Sequence, residues 1–324
     1  MSQTVKKSIC WFCKGRCGVC VHVEGAELDR IELDRDYPYF AGSQGAGCKG
    51  LRLKHAKEWF YNKSRLDYPM KRTGARGENR WSRITWEQAL DEIAARLGEI
   101  KGRLGAESVA TCKGDDWTHS EYETRFLNLF GSPNIFGVSP ICWGPRALVS
   151  EAVFGWHPIY SARKNTKCIL MLGVNIDAGR PALVNTTREA VKNGARIITL
   201  DPRRSSTAER SDVWLQLKPG TDAAVLLAMI NHIIEKDLFD RDFVDRWCHG
   251  FDGLTLRAKE YPLDRAEVIS GVPAKTIALA AEIYATSKPA VIFEGMGVEQ
   301  QTNSSQIIHA RCILAAIAGN IDRM

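Results

Sequence analysis

No stretch of this 324-residue chain approaches the roughly 18 consecutive apolar residues that a membrane-spanning helix needs. The opening MSQTVKKSIC has no apolar core, no twin-arginine pair and no small-residue cleavage site, so a soluble, cytoplasmic chain is expected. Long runs of one charge are missing too. The 44 Lys and Arg against 38 Asp and Glu leave a net +6, scattered along the chain. Such a surplus fits a solvated basic surface or a pocket for phosphates, and no nucleic-acid partner is expected. No repeat or low-complexity tract is present, which excludes a solenoid. The G-x-G-x-x-G fingerprint of common dinucleotide sites is also absent.

Cysteine is abundant. Five of the ten lie before residue 50: Cys10, Cys13, Cys17, Cys20 and Cys48. A reducing compartment disfavours disulfides. Structural zinc sites usually pair two short hooks. Here Cys10, Cys13 and Cys17 share one loop and Cys48 stands alone. That arrangement suits a 4Fe-4S cluster held by four thiolates, with zinc or unligated thiols as alternatives and Cys20 as a substitute ligand. Lys49 follows Cys48 between Gly47 and Gly50, a cation beside an anionic cluster or a plain surface charge.

Residues 1–65 are rich in Gly and Cys, with β-like runs GVCVHVEG and LDRIELD. The segment that follows reads as an extended loop and then a helix capped by Thr85, with Gln88 completing the capping box. Trp86, Ala89, Leu90, Ile93, Leu97 and Ile100 recur at helical spacing, so this face is expected in a core. From about residue 165 strands and helices alternate. KCILMLG, ARIITLD, DVWLQL and PAVIFEG read as strands; PALVNTTREAVKNG and TDAAVLLAMINHIIEK read as helices, the first stopping at Gly194. Alternation implies a parallel sheet, whose ligands bind beyond the carboxyl ends of the strands. Those ends carry Gly173 and Asn175; Asp201, Arg203, Arg204 and Thr207; Gly220 and Asp222; and the run Glu294–Gln300. Asp201 is suited to ribose hydroxyls, Asp222 to a guanine edge and Arg203 or Arg204 to phosphate. Each is equally an ordinary turn or cap residue when taken alone.

Together these residues resemble the molybdopterin oxidoreductases, the dimethyl sulfoxide reductase superfamily. The resemblance rests on Cys10, Cys13, Cys17 and Cys48-Lys49-Gly50, on RLDYPMKRTGARGENRWSRITWEQALDEIA, and on GVN, LDPRRSSTAERSDVWLQLKPGTDAAV and EGMGVEQ. It spans nearly the whole chain. It implies an α/β fold. A small N-terminal cluster domain (1–65) would precede the first half of a split α/β domain (66–140). A doubly wound, Rossmann-like dinucleotide-binding domain (141–300) would follow, then the start of a returning segment (301–324).

The resemblance also implies cofactors: a 4Fe-4S cluster on Cys10, Cys13, Cys17 and Cys48, and Mo or W between two molybdopterin guanine dinucleotides. Cys142, in SPICWGPRALV, matches the family's metal ligand, and Lys49 matches its lysine between cluster and pterin. Gly173, Asn175, Asp201, Arg203, Thr207, Gly220, Asp222, Met296 and Gln300 match dinucleotide-binding positions. The implied activity is redox: two-electron, oxygen-atom or sulfur-atom transfer on a small molecule, with electrons passed through a pterin and Lys49 to the cluster and on to an iron–sulfur partner subunit. The overall look is nearest to the acetylene hydratase and the thiosulfate or polysulfide reductase branches. Formate dehydrogenases carry His after the metal ligand, where Trp143 stands here. The hydratase branch carries a catalytic Asp after the second cluster cysteine, where Lys14 stands. A protonated amine cannot do the work of a carboxyl group, so hydration is the lesser alternative, beside a cluster scaffold that has lost its metal centre. His119, His157 and Asp116 are acid–base candidates, each more simply structural. Family members run far longer, so the missing half of the cofactor pocket is expected on another chain or beyond a truncation, and the chain alone is expected to be inactive.

Overall fold

The computed structural model describes residues 3–12, 16–37, 51–114, 120–157, 161–180 and 183–321. It divides into two compact units: residues 1–57 with 141–324, and residues 58–140.

The first unit opens with an antiparallel sheet, β1 (Gln3–Ile9), β2 (Gly18–Glu24) and β3 (Glu27–Leu33), followed by short helices α1 (Leu51–Lys54) and α2 (Ala56–Phe60), the last running into the second unit. β2 and β3 match the β-like runs of the sequence; β1 was not legible there. In the second unit, β4 (Met70–Arg72) and β5 (Trp81–Arg83) form a hairpin where a loop is expected. Helix α3 (Trp86–Leu104) starts as the capping box predicts: the Gln88 N–H donates to Thr85 Oγ1 at 3.1 Å. Its apolar face, however, is not in a core. No residue of α3 is buried, and Trp86, Leu90 and Ile93 are more than half exposed. Capping and periodicity make a helix locally; burial needs a covering element, and none of the described residues of this unit supplies it. β6 (Thr111–Cys112), α4 (Ser120–Phe130) and β7 (Ile135–Phe136) complete this unit.

The remaining elements are α5 (Trp143–Phe154), β8 (Cys168–Leu172), α6 (Ile176–Gly179), α7 (Val184–Lys192), β9 (Arg196–Leu200), α8 (Ser206–Glu209), β10 (Val213–Leu215), α9 (Asp222–Glu235), α10 (Arg241–Trp247), α11 (Phe251–Ala258), α12 (Leu263–Ser270), α13 (Ala274–Thr286), β11 (Ala290–Glu294), α14 (Met296–Glu299) and α15 (Ser304–Ile317). All four expected strands form, in one parallel sheet of order β10-β9-β8-β11. Every residue of β8 is buried, as a strand covered on both faces requires. Alternation sorts them. Cys168, Leu170 and Leu172 pack with residues of α9, α13 and α15, while Ile169 and Met171 pack with Ala190 of α7 and Phe293. No single helix among the described residues is long and apolar enough to cross a membrane.

Candidate functional site

Strand order fixes where a ligand can sit. From β8 the chain goes to β9 on one side, and later to β11 on the other. The loops after β8 and β11 therefore diverge and leave a crevice at the carboxyl edge, the switch point of such sheets. A cavity of about 290 Å³ lies there, lined by Gly173, Asn175, Asp201, Pro202, Arg203, Pro219, Asp222, Gly297 and Gln301. Five residues singled out from sequence meet in it: Gly173, Asn175, Asp201, Arg203 and Asp222. Thr207 and Gly220 stand behind the wall, and Gln300 is replaced there by Gln301. The Gln301 amide donates to Gly297 O at 2.9 Å, one position past the run that sequence reasoning covered.

Glycine is needed at the crevice. Gly173 has φ +54°, and a Cβ there would lie 3.0 Å from Gly297 Cα; a Cβ on Gly295 would lie 2.3 Å from Gly173 O. Both obstacles are backbone. Gly295→Ala is therefore expected to lower stability by about 1–3 kcal/mol in chemical denaturation. Gly179→Ala, whose Cβ meets nothing within 4 Å, is expected to stay within about 0.5 kcal/mol of wild type.

The polar groups are already partly committed. Ser206 and Thr207 hydroxyls donate to Asn175 Oδ1 at 3.1 and 3.2 Å, so Asn175 has its NH₂ left to offer a ligand. Thr207 Oγ1 also accepts the Ile176 N–H at 3.2 Å, fixing the start of α6. Asp201 Oδ1 accepts the Arg203 N–H at 2.8 Å, an Asx turn that shapes the loop and leaves Oδ2 for a ligand. Gly220, at φ +85°, turns the chain so that its carbonyl accepts from Asn303 Nδ2 at 3.1 Å.

Asp222 opens α9 and is 4% exposed. Burial pushes its carboxyl up to about 6, against its own backbone N–H, which lowers it, and with the Asp201 charge adding to the rise. The folded protein thus holds a proton that the unfolded chain has lost between about pH 4 and 6, so stability falls as pH rises through that window. The fall is about 2–3 kcal/mol. Asp222→Asn is expected to flatten this slope and raise the urea midpoint above pH 6 in the nucleotide-free protein.

Cys142 sits at the N-cap of α5 and makes no capping bond. Its thiol lies 3.8 Å from the Met296 sulfur, so Met296 meets Cys142 rather than lining the cavity. Trp143 Nε1–H donates to His157 Nε2 at 3.2 Å, with the rings edge-to-face at 5.4 Å. An indole N–H can only donate, so His157 is neutral and protonated on Nδ1. Burial and then the Arg146 charge lower its pKa, in agreement.

Beneath α14 lies a charged lattice that sequence reasoning missed. Arg146 donates to Glu299 at 3.1 and 2.6 Å and lies 3.3 Å from Glu294; Arg311 donates to Glu294 at 2.6 Å and to Ser150 at 3.2 Å. Burial raises the Glu299 pKa and Arg146 opposes the rise. The available signal was Arg311 itself, a lone cation within the apolar run IIHARCILAAI.

Cys10 and Cys17 are joined by a Cys10 N–H to Cys17 O bond of 2.7 Å, and Cys20 pairs in register with Lys7. Cys13, Lys14, Cys48 and Lys49, with Asp116 and His119, lie outside the described residues.

The fold and crevice define a class: a parallel-sheet protein with a polar cavity at its switch point and a thiol on the adjoining helix. The molybdopterin oxidoreductase profile matches residues 65–324 and the molybdopterin oxidoreductase Fe4S4 domain profile matches residues 3–49. The chain belongs to the molybdopterin oxidoreductase family, with its iron–sulfur domain. It is 42% identical over 263 residues to an acetylene hydratase of Syntrophotalea acetylenica, covering 80% of this chain and 36% of that protein. It is 31% identical to the thiosulfate reductase molybdopterin-containing subunit PhsA of Salmonella typhimurium, covering 99% of this chain and 42% of that one. The solved acetylene hydratase from Pelobacter acetylenicus superposes with TM-score 0.79 at 37% identity, over 98% of this chain and 44% of the other. The chain thus spans less than half the length of each.

Proposed function

We propose that this chain carries the cluster-binding and nucleotide-binding portions of a Mo- or W-dependent oxidoreductase. The observation that supports it best is α14: its first residue, Met296, meets Cys142, while Gly297 lines the cavity. One helical turn thus joins a thiol to a nucleotide-sized crevice.

The residues fit the cofactor. Gly173, Gly295 and Gly297 allow close backbone packing at the crevice, and 290 Å³ is just below the roughly 300–1,000 Å³ of ligand pockets. Asp222 would accept from a guanine edge, Asp201 from ribose hydroxyls, and Arg203 would neutralise phosphate. Asn175, braced by Thr207, would donate its NH₂; Gly220, Met296 and Gln300 would shape the surroundings. Cys142 would hold the metal through a soft thiolate. Cys10, Cys13, Cys17 and Cys48 would hold the cluster, with Lys49 between cluster and pterin. When bound, the metal supplies two-electron chemistry and the cluster single-electron exchange. Trp143, fixed by His157, keeps a bulky apolar ring beside Cys142 and limits water there. The substrate is a small molecule undergoing oxygen-atom, sulfur-atom or electron-pair transfer. An iron–sulfur subunit takes the electrons, a second pterin belongs to the complete cofactor, and the setting is cytoplasmic.

Metal analysis of anaerobically purified protein tests this. Expected are about four iron and four labile sulfide per chain, Mo or W, and GMP on acid hydrolysis. Iron without Mo or W supports the scaffold alternative; zinc without iron overturns the reading. The 42% identity favours a second reading, water addition to acetylene. Formation of acetaldehyde from acetylene, without reduction of acceptor dyes, would select it.

A further inference from the structure

Among the described residues, the charges around α14 do not balance. Arg146 is matched by Glu299, and Arg311 by Glu294. Arg180, at the end of α6, is the third cation of this group. Its Nη2 donates to the Glu294 backbone carbonyl at 3.3 Å, which places the guanidinium at the carboxyl end of β11. Two residues further on, Met296 touches Cys142. No carboxylate among the described residues lies within ion-pair distance of Arg180. The acid nearest in sequence, Asp177, is held by Arg210 and Arg188. Among the described residues, three cations face two carboxylates, and the unmatched charge is on Arg180, half-buried and anchored two residues before the Met296 that meets Cys142.

A partly desolvated guanidinium without a counter-ion is costly. Burial, and then the Arg146 charge, lower its pKa, opposed by Glu299, Glu294 and Cys142. The Cys142 thiol cannot serve as its counter-ion when it is a metal ligand. Guanidinium geometry matches planar, multi-oxygen anions.

We propose that Arg180 is a substrate-binding residue of this protein, and that its substrate is a small anion (an oxyanion or sulfur oxyanion) rather than a neutral gas or sulfoxide. This rests on the reading of Cys142 as a metal ligand. It deepens that reading by naming the substrate class, and it sets the chain apart from a hydratase acting on an uncharged molecule.

The test compares wild type, Arg180→Gln and Arg180→Lys as full-length, metal-loaded protein. Metal, iron and GMP contents are measured first. Thiosulfate and dimethyl sulfoxide are then titrated against the electron paramagnetic resonance signal of the half-reduced metal. Arg180→Gln is expected to keep wild-type cofactor content and to weaken the thiosulfate response about 10- to 100-fold. The weak dimethyl sulfoxide response should not change. Arg180→Lys keeps the charge, guards against a folding failure, and should fall between. Unchanged thiosulfate affinity in Arg180→Gln overturns the proposal. Loss of metal or GMP in both variants also overturns it, because the anion is then the cofactor's own. Wild type loaded with metal but blind to thiosulfate, nitrate and formate sinks only this inference. Wild type without Mo or W sinks the metal-site reading beneath it.

Discussion

Arg146→Leu is expected to lower folding stability by about 3–5 kcal/mol near neutral pH. The guanidinium holds Glu299 with two hydrogen bonds and lies 3.3 Å from Glu294, and both carboxylates are essentially buried. Without it, Glu299 loses its ion-pair partner, and Arg311 stays paired with Glu294. The folded-state pKa of Glu299, already raised by burial, then rises further above the unfolded one. The folded protein binds extra protons between the two values, so the deficit is largest at neutral pH and shrinks as pH falls toward the unfolded carboxylate range. Urea midpoints at about pH 7.5 and about pH 5 check the sign. Arg146→Leu with Glu299→Leu is expected to recover much of the loss, since apolar replacement of a whole buried pair is often neutral. A double variant no better than Arg146→Leu would show that the lattice does not act as a pair.

Cys142→Ala is expected to leave the fold and iron content unchanged while lowering metal retention and dye-linked turnover at least about 100-fold. Outer-sphere substitutions alone cost about 10–100-fold at metal sites. The stability cost should be small, because the thiol makes no capping bond and its contact with Met296 is a long 3.8 Å. Metal content by mass spectrometry and turnover with viologen or phenazine dyes give the two readouts. Wild-type metal content in Cys142→Ala would reduce Cys142 to a packing residue. Met296→Leu keeps the volume and removes the thioether, and separates contact with the thiol from general packing.

What could be read in advance divides by range. The strand Cys168–Leu172, the stop at Gly194 and the Thr85 cap are written within a few residues, as apolar runs, a φ of +88° that favours glycine, and a hydroxyl three residues before the amide it caps. The α3 face was legible as a helix face, yet whether it is covered depends on residues far away. Gln300 was named and Gln301 lines the cavity, because the rotation of one short helical turn decides which side chain faces inward. The resemblance carried the crevice residues, since Gly173, Asn175, Asp201, Arg203 and Asp222 lie on three strand ends and no local pattern ties them together.

The sequence by itself determined the strands and helices of the parallel sheet, its parallel character and the family, because period-2 and period-3.6 patterns, caps and cysteine spacing are short-range signals. Only tertiary structure decided that β8 and β11 lie side by side, that Met296 reaches Cys142, and that Arg146, Glu294, Glu299 and Arg311 share one buried lattice with Arg180 left over. Those outcomes turn on strand order and on charge matching across more than a hundred residues, and ion pairing at that separation leaves no periodic trace in the chain.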